Sequence, residues 1–352
     1  MLFDLPDDDV LYAALIARDP AYDGFAFVGV KSTGIFCRLT CPARKPKREN
    51  SVFYPSMVSA MEAGYRPCKR CRPLMQGGEK DPLVLKLLAA LENEPDRKWS
   101  EDDVQAMNVD PSTVRRAFKR QFGITFLEMA RLRRVGKGVD ALTGGEPVIE
   151  AQLDASFGSG SGFRAAITRQ IGLNPSQARK HQYLKADWLD TPIGSMLAIA
   201  SRDVLYLLEF IDRPALPNEI ERLKQLTSSE IIFGRNPVID QLEQELAAYF
   251  AGGKRLFVTP LAEFGSLFTR KVWDALRAIP AGEVRSYSAL AADIGQATAS
   301  RAVARANGAN QISILIPCHR VIGADGSLTG YGGGLWRKRW LIEHERRMAL
   351  SR

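Results

Sequence analysis

The chain has 352 residues, which at roughly 100–200 residues per domain predicts two to four domains. An apolar fraction of 45% and a charged fraction of 25% are average for globular proteins and exclude a disordered or fibrous chain. The longest apolar run is too short for a membrane helix, the acidic N-terminus lacks a signal-peptide core, and five cysteines are too few for a disulfide framework. We therefore expect a cytoplasmic protein without a membrane partner.

The net charge of +8 is concentrated in three basic blocks that acidic segments separate. Residues 31–72 carry +8, residues 96–185 carry +5 and residues 263–352 carry +6. Three such blocks favour several modules that share a polyanionic partner, whereas the alternative is three solvated basic faces.

Four of the five cysteines form two close pairs near the N-terminus. The pairs are Cys37 with Cys41, and Cys68 with Cys71. Two such pairs suit a tetrahedral zinc site, and surrounding basic residues such as Arg44 and Arg66 favour both thiolates and phosphate groups. Buried free cysteines or two disulfides are the alternatives.

A segment rich in glycine and proline, residues 73–82, predicts a linker that precedes a long helical region. Within that region Ser100 is a candidate helix cap, and Asn108 suits a left-handed turn before a second helix over residues 110–122. The outer face of the second helix is basic, which suits entry into the major groove of DNA. Its basic residues are Arg115, Arg116, Lys119 and Arg120.

A second helix-turn-helix unit is predicted over residues 148–178. Its recognition segment, residues 156–167, contains three glycines near its start and the small residues Ala165 and Ala166. Glycine weakens a helix interior, so we expect this unit to be the weaker reader of DNA. An ordinary helical bundle with a solvated basic face is the alternative for the whole region.

The remaining elements are a hairpin, two helices and a candidate nucleophile. Residues 196–200 and 204–210 predict the hairpin, and residues 237–250 and 264–279 predict the helices. The apolar run Ile312–Ile316 resembles a strand that ends in proline. Cys318 follows directly beside His319, and an adjacent base can activate a cysteine, although a buried structural thiol is the alternative.

Three motifs together resemble one protein family. The sequence around the four N-terminal cysteines closely resembles the zinc domain of the Ada family of DNA-repair methyltransferases. Residues 110–126 resemble an AraC-type helix-turn-helix domain, and Pro-Cys-His-Arg-Val at 317–321 resembles the signature of the O6-alkylguanine-DNA alkyltransferases; the Ada family contains both.

The resemblance implies a multidomain fold. A small α/β zinc-binding domain (1–75) and an all-α double helix-turn-helix domain of AraC type (82–181) would precede an α/β alkyltransferase pair. That pair would comprise a small N-terminal subdomain (186–260), for which we expect only structural support, and a catalytic domain (263–352).

The resemblance also implies two methyl acceptors. Cys37 would accept a methyl group from a methyl phosphotriester, with one Zn²⁺ per chain held by Cys37, Cys41, Cys68 and Cys71. Cys318 would accept the methyl group of O6-methylguanine. His319 would activate it and Glu345 would orient His319, with Glu343 as a rival for that role.

Further transferase residues are implied by position in the family motif. Asn310 matches the hinge asparagine, Tyr287 the tyrosine that rotates the nucleotide, and Arg301 the arginine that replaces the flipped base. Tyr331 would form a wall of the base pocket, and the backbone near Val321 and Gly332 would stabilise the leaving guanine. Residues 287–292 and 298–306 would form a helix-turn-helix that docks in the minor groove.

The implied protein is a single-turnover methyltransferase whose methylation at Cys37 switches on transcription of the response to alkylation. Its partners would be double-stranded DNA, both alkylated and at promoters, and RNA polymerase, and a monomer is the simplest state for tandem DNA-binding modules. Two alternatives remain: a zinc-containing regulator without transferase activity, and a repair protein without activator function.

Overall fold

The structure is a computed structural model in which residues 5–71, 73–74, 81–253 and 257–350 are described. They form two compact units, one from Met1–Glu79 with Phe264–Arg352 and one from Lys80–Glu263. Most of the predicted linker, residues 75–80, lies outside the described residues.

The N-terminal segment is a four-stranded sheet flanked by two helices. Its elements are α1 (Asp8–Ala17), β1 (Phe27–Val30), β2 (Ile35–Arg38), β3 (Ser51–Tyr54), α2 (Met57–Glu62) and β4 (Arg66–Pro67). The strand order is β3-β1-β2-β4, with β4 parallel to β2. Leu11 and Leu15 of α1 pack against the sheet beside the cysteines.

Residues 82–178 contain helices joined by turns and no strand, as predicted. The helices are α3 (Pro82–Asn93), α4 (Glu101–Ala106), α5 (Pro111–Phe122), α6 (Phe126–Thr143), α7 (Val148–Asp154), α8 (Gly160–Ile171) and α9 (Pro175–Ala178). Ser100 caps α4 in a capping box with Asp103, and Asn108 has a φ of 60°, so both sequence predictions are confirmed. This region has two apolar cores. The first lies around Phe118 and includes the N-terminal part of α6, and the second lies around Phe163 and includes the C-terminal part of α6.

The next segment is a second four-stranded sheet with two helices. Its elements are β5 (Tyr183–Thr191), β6 (Gly194–Ala200), β7 (Leu205–Phe210), α10 (Leu216–Thr227), β8 (Glu230–Phe233) and α11 (Pro237–Phe250). The strand order is β7-β6-β5-β8, with β8 parallel to β5 at the edge. The predicted hairpin is confirmed as β6 and β7, and the predicted helix as α11.

The C-terminal segment is mainly helical. Its elements are α12 (Leu267–Ala278), β9 (Arg285–Ser286), α13 (Tyr287–Asp293), α14 (Ser300–Gly308), a short 3-10 helix (Cys318–Arg320), β10 (Val321–Ile322) and α15 (Leu335–Leu350). The first helix begins three residues later than predicted because Ser266 caps it, after Gly265 in a left-handed conformation. No helix in the described part of the chain is long and apolar enough to span a membrane.

The strand predicted at Ile312–Ile316 is wrong. Apart from an isolated bridge at Ile312, these buried residues form turns and a bend, and Ile314 has a φ of 73°, which a β-branched residue rarely adopts. The buried side chain of Asn310 satisfies the backbone there, since its Oδ1 accepts from the Ile312 amide at 3.0 Å and its Nδ2 donates to the Ile316 carbonyl at 2.9 Å. A buried run can therefore leave the strand conformation when a side-chain amide replaces the hydrogen bonds of a sheet partner.

Candidate active site and metal centre

The turn at Cys318 is fixed to the start of α13 by a short parallel strand pair. β10 directly follows the Cys318–Arg320 helix, and its Val321 and Ile322 pair with Arg285 and Ser286 of β9. Because Tyr287 comes directly after β9, this pairing fixes the position of the tyrosine relative to the buried cysteine.

Cys318 is 5% exposed, and its sulfur accepts a hydrogen bond from Asn310. The distance from Asn310 Nδ2 to Cys318 Sγ is 3.1 Å, and the Asn310 side chain is itself buried. An amide donor aimed at sulfur favours the thiolate over the thiol. The same side chain therefore shapes the turn and supports the charged form of Cys318.

His319 and Glu345 form a buried pair. His319 Nε2 lies 2.9 Å from Glu345 Oε1, and both side chains are almost fully buried. His319 Nδ1 is also buried and has no hydrogen-bond partner among the described residues. One ring nitrogen of His319 is thus held by the carboxylate, and the other is available for proton transfer.

Arg320 holds the same carboxylate from a second direction. Its Nε and one terminal nitrogen each donate to Glu345 at 2.8 Å, and the Gly282 amide donates to Glu345 Oε2 at 3.2 Å. Bidentate contact of this kind fixes the orientation of a carboxylate as well as its charge. Glu343 forms an ion pair with Arg339 at 2.9 Å instead, so the carboxylate on His319 is Glu345.

Burial and charge set the ionisation of this group of residues. Burial lowers the pKa of His319 against the opposing influence of Glu345, so the imidazole is neutral near pH 7 and can accept a proton. Burial alone would raise the pKa of Glu345, but its contacts with His319 and Arg320 lower the pKa well below the ordinary value. Glu345 is consequently a fixed negative charge behind a neutral base.

Tyr287 lies close enough to the cysteine for the two to interact electrostatically. Burial and the neighbouring Cys318 raise the pKa of Tyr287, while hydrogen bonds with Thr329 and Asn307 oppose that rise. Gly330 has a φ of 56°, and a Cβ added there would lie 3.1 Å from the Tyr287 hydroxyl. A glycine is therefore needed where this loop passes the tyrosine.

The other predicted DNA-facing residues lie in different surroundings. Arg301 is exposed in the first turn of α14, and Gly332 is exposed in the loop before α15. Tyr331 is half-buried beside Gly332, and Val321 is fully buried in β10.

Two further charged residues at the site were not singled out from the sequence. They are Arg320, although it is part of the Pro-Cys-His-Arg-Val motif, and Lys338, whose Nζ donates to the Thr329 carbonyl at 2.5 Å. Burial lowers the pKa of Lys338 to about 8, and the neighbouring Cys318 opposes that shift. Lys338 lies seven residues before Glu345, on the same buried face of α15, and this helical spacing was the only signal available.

The four N-terminal cysteines converge on one point. Their sulfur atoms all lie within 4.8 Å of one another, and the Sγ atoms of Cys41 and Cys68 are 4.0 Å apart. The parallel pairing of β4 with β2 brings the second pair of cysteines to the first, since the Cys68 amide donates to the Phe36 carbonyl at 3.0 Å. Four sulfurs at tetrahedral zinc–sulfur distances of about 2.3 Å would be separated by about 3.8 Å, so the cluster fits zinc.

The chemistry of the cluster also suits a cation. The hydrogen bond from Cys37 to Cys71, burial and the neighbouring sulfurs raise the pKa of the Cys37 thiol far above its ordinary value. Four thiolates packed this closely repel one another, and a divalent cation between them would offset that repulsion. Lys45 places a further positive charge beside the cluster. Its position is held by hydrogen bonds from Nζ to the carbonyls of Leu39 and Cys41.

Comparison with known proteins covers nearly the whole chain. Residues 10–73 match the family profile described as the metal binding domain of Ada, and residues 104–181 match a helix-turn-helix domain. Residues 267–347 match the DNA binding domain of 6-O-methylguanine DNA methyltransferase. The regulatory protein ada of Salmonella typhimurium is 33% identical over 346 residues, which is 96% of each chain. The chain belongs to the Ada family.

Two further comparisons are with the Ada protein of Escherichia coli. The bifunctional transcriptional activator/DNA repair enzyme Ada of Escherichia coli is 33% identical over 345 residues, again 96% of each chain. An NMR structure of the E. coli Ada protein in complex with DNA has 33% identity and a TM-score of 0.26, and the match covers 36% of this chain and 94% of that one.

The profile matches confirm the predicted fold class. This Ada-family chain combines a zinc domain, a helix-turn-helix domain and an alkyltransferase domain, and its zinc site consists of the four cysteines at 37–71.

The candidate DNA-facing residues of the first two domains are exposed. They are Arg44 and Arg66 of the zinc domain and Arg115, Arg116 and Lys119 of α5. Arg115 forms an exposed ion pair with Glu101 at 2.6 Å, and Arg120 pairs with Asp81 at 3.1 Å. Part of the basic face of α5 is therefore neutralised within the protein.

Proposed function

We propose that this chain repairs alkylated DNA by accepting methyl groups irreversibly at two cysteines and that one of these reactions converts it into a transcriptional activator. Cys318 takes the methyl group of O6-methylguanine, and Cys37 takes the methyl group of a methyl phosphotriester. The chain is thus a single-turnover methylated-DNA–protein-cysteine S-methyltransferase. The observation that carries the repair function is the buried arrangement of Cys318, Asn310, His319 and Glu345.

Transfer to Cys318 begins with proton removal by a neutral base. The proton of Cys318 passes to His319, through one water as the family resemblance implies, and Glu345 stabilises the imidazolium that forms. The Asn310 amide stabilises the remaining thiolate. The sulfur then attacks the methyl carbon in line, a carbon–sulfur bond forms, and the bond from that carbon to guanine O6 breaks with its electron pair leaving on guanine.

The remaining transferase residues handle the DNA. Arg301, exposed on α14, fills the place of the flipped base, and the cost of unstacking the base is a few kcal/mol. Tyr287 rotates the nucleotide, Tyr331 forms a wall of its pocket, and the backbone at Val321 and Gly332 stabilises the leaving guanine. The thioether product is stable, so the chain is consumed by the reaction.

Transfer to Cys37 changes the charge of the zinc domain. Zinc, when bound, keeps the ligand sulfurs deprotonated and nucleophilic at neutral pH. The Cys37 sulfur forms a bond to the methyl carbon, and the phosphate oxygen departs with its electron pair. The four-thiolate centre thereby changes from a formal charge of −2 to −1. One charge at ~8 Å from a phosphate is worth about 0.5 kcal/mol in water, so several phosphates give a gain of about tenfold in affinity.

Sequence-specific binding belongs to the two helix-turn-helix units. The basic face of α5 enters the major groove, with Arg115, Arg116 and Lys119 as its candidate contacts, while Arg44 and Arg66 hold the phosphate backbone near Cys37. In this proposal the protein acts in the cytoplasm as a monomer and contacts RNA polymerase at the promoters it activates.

Peptide mass spectrometry tests both transfers. The chain is incubated with duplex DNA that carries either O6-methylguanine or a methyl phosphotriester, and the mass increment of one methyl group is mapped. We expect the increment on Cys318 with the first substrate and on Cys37 with the second. The Cys318→Ser and Cys37→Ser variants serve as reciprocal controls, since each should lose one transfer and keep the other. No methyl group on Cys318 refutes base repair, and none on Cys37 refutes the switch.

Repair without activation is the second candidate, because α8 exposes Ala165 and Thr168 at the positions where α5 exposes Arg116 and Lys119. Against it, α8 has twelve residues, as α5 does, and both helices end at a left-handed glycine, Gly172 and Gly123. Binding of alkylation-inducible promoter DNA before and after Cys37 methylation distinguishes the two candidates. Equal affinity in both states supports repair alone.

A further inference from the structure

The helix between the two helix-turn-helix units contains two glycines in its interior. Gly138 is explained by the second unit itself, because an added Cβ would lie 2.6 Å from the ring of Phe163 in α8. Gly136 faces a different neighbour. A Cβ added there would lie 1.7 Å from the carbonyl oxygen of Phe233 in β8, so α6 and the edge strand of the adjacent sheet are in backbone contact. Only glycine permits this approach.

The same sheet contacts the first helix-turn-helix unit. Trp188 of β5 stacks on Phe233, with ring centroids 4.2 Å apart and planes 10° apart. The Trp188 ring also meets Phe122, at the end of α5, edge-on at 6.3 Å. Gln121 of α5 donates to Ser195 Oγ of β6 at 3.3 Å. The end of the first recognition helix is therefore packed on strands β5 and β6.

The sheet contributes to the core of the second unit as well. Ile232 of β8 is 1% exposed and lies within the apolar core that α6, α7 and α8 form. Tyr183 of β5 packs against that core, and its hydroxyl donates to the Ala178 carbonyl of α9 at 2.9 Å. Two neighbouring strands thus reach both units and the helix that joins them.

A buried carboxylate specifies this interface. Asp187 of β5 is 1% exposed and accepts from Arg133 of α6 at 3.4 Å and from Arg235, which follows β8, at 3.1 Å. A buried charge between two guanidinium groups is stable only while both elements stay in register, because separation leaves it unpaired. The polar contact therefore selects one arrangement of α6 on the sheet.

We propose that the sheet β5–β8 is a brace for the DNA-binding domain: it holds the two helix-turn-helix units at one fixed spacing and angle. Two units joined by a single helix can otherwise move relative to each other, and that motion would have to be arrested on binding DNA. The brace presents the two recognition helices pre-arranged. Its purpose rests on the proposed DNA-binding function, but the arrangement itself can be tested without DNA.

The test measures the distance between the two recognition helices in the full-length chain. The exposed Lys119 of α5 and Arg169 of α8 are each replaced by a genetically encoded non-natural residue that carries a spin label. This labelling leaves all five cysteines intact. Pulsed electron resonance then gives the distance distribution without DNA. We expect one narrow distribution in the otherwise unaltered chain, and one broader by about twofold in Gly136→Ala and in Trp188→Ala.

Three controls make the result specific. Lys137→Ala changes an exposed residue on the same helix and should keep the narrow distribution, and Trp188→Phe, which retains an aromatic stack, should restore most of it. Circular dichroism must show that helix content is retained. If Gly136→Ala does not fold, Trp188→Ala and Asp187→Asn carry the test.

The outcomes separate this proposal from the proposed function. A broad distribution in the unaltered chain, or a narrow one in every folded variant, overturns the brace. Failure of methyl transfer to Cys37 and Cys318 would refute the proposed function and leave the distance result intact.

Discussion

At the scale of single residues, Asn310 connects the conformation of a turn to the chemistry of a thiol. Its side-chain amide satisfies the backbone of residues 312–316 and donates to Cys318. Arg320 has a comparable double role, because it donates to the Ile279 carbonyl and also binds the carboxylate that holds the neighbouring His319. In both places a side chain that fixes local structure also sets the charge state of the site, so we expect substitutions there to affect both.

The carboxylate on His319 gives a direct prediction. Replacing Glu345 with glutamine removes the charge that stabilises the imidazolium, so methyl transfer to Cys318 should slow by about 100-fold. Single-turnover rates on duplex DNA with O6-methylguanine measure the effect. Glu343→Gln is the matched control, because Glu343 pairs with Arg339 and not with His319. Equal rates in the two variants would contradict the assigned role of Glu345.

Lys338 predicts a pH dependence of stability. Burial lowers the pKa of Lys338 to about 8 from its ordinary 10.5, so the unfolded chain binds this proton more tightly than the folded chain. The contribution of Lys338 to the free energy of unfolding should therefore rise from about pH 8 to about pH 10.5 and stay constant below that range. Thermal unfolding of the unaltered chain and of Lys338→Met, compared across this range, measures it.

The exposed Lys271→Met variant is the control for that measurement. Its melting temperature should follow that of the unaltered chain at every pH. A gap between the unaltered chain and Lys338→Met that stays constant as the pH rises would contradict the predicted titration.

At the scale of elements, the two recognition helices have the same frame and different surfaces. α5 and α8 each have twelve residues and a side-chain cap from Asp110 or Ser159. The α5 surface carries four basic residues, whereas α8 places glycines in its first turn and exposes Ala165. The cap residues and apolar positions that form each helix are therefore different from the surface residues that determine how strongly it binds DNA.

The basic face of α5 predicts a change in salt dependence. Removing one side chain that binds a phosphate should reduce the slope of log affinity against log salt by about 0.9, so Arg116→Gln with Lys119→Gln should reduce it by about 2. Fluorescence anisotropy with a short labelled duplex measures the slope. Arg120→Gln should reduce the slope by less than the ~0.9 expected for one phosphate-binding side chain, because Arg120 is paired with Asp81. An equal effect of Arg120→Gln would show that this ion pair does not withhold the residue from DNA.

At the scale of the whole molecule, segments far apart in sequence share one compact unit. Met1–Glu79 forms a unit with Phe264–Arg352, and within it the Arg339 guanidinium of α15 lies 4.9 Å from the Phe25 ring centre of the N-terminal segment. The helix that carries Glu345 is thus packed against the domain that carries Cys37. Domain order along the chain did not predict this packing.

Metal removal should affect this N-terminal segment selectively. Metal analysis should find one zinc per chain, and none in the double variant Cys41→Ser with Cys71→Ser, because structural zinc and folding are coupled. Hydrogen exchange should then increase at the Cys68 amide, whose bond to Phe36 joins β4 to β2, and stay unchanged in α3–α9. Cys318→Ser should retain its zinc. Uniformly faster exchange over both units would contradict a local role for the metal.

Local elements and reactive groups could be predicted from the sequence alone. Cap residues, hydrophobic periodicity and cysteine spacing depend on neighbours within a few positions, so α4, α5, the β6–β7 hairpin and the four-cysteine cluster were all predictable. Family motifs added Cys318, His319 and Glu345 in their implied roles. These features repeat or stand close together along the chain, and a linear reading detects them.

Features that depend on partners distant in the chain became visible only in the folded structure. Residues 312–316 resemble a strand in the sequence because the run is apolar, and the sequence does not show whether a partner strand lies beside it. Gly136 looks like a local weakness that costs a helix about 1 kcal/mol until Phe233 is found against it. The pKa of Lys338 likewise depends on its burial and on the neighbouring Cys318. Contacts between segments set burial, electrostatic environment and close approach, and no local pattern encodes those quantities.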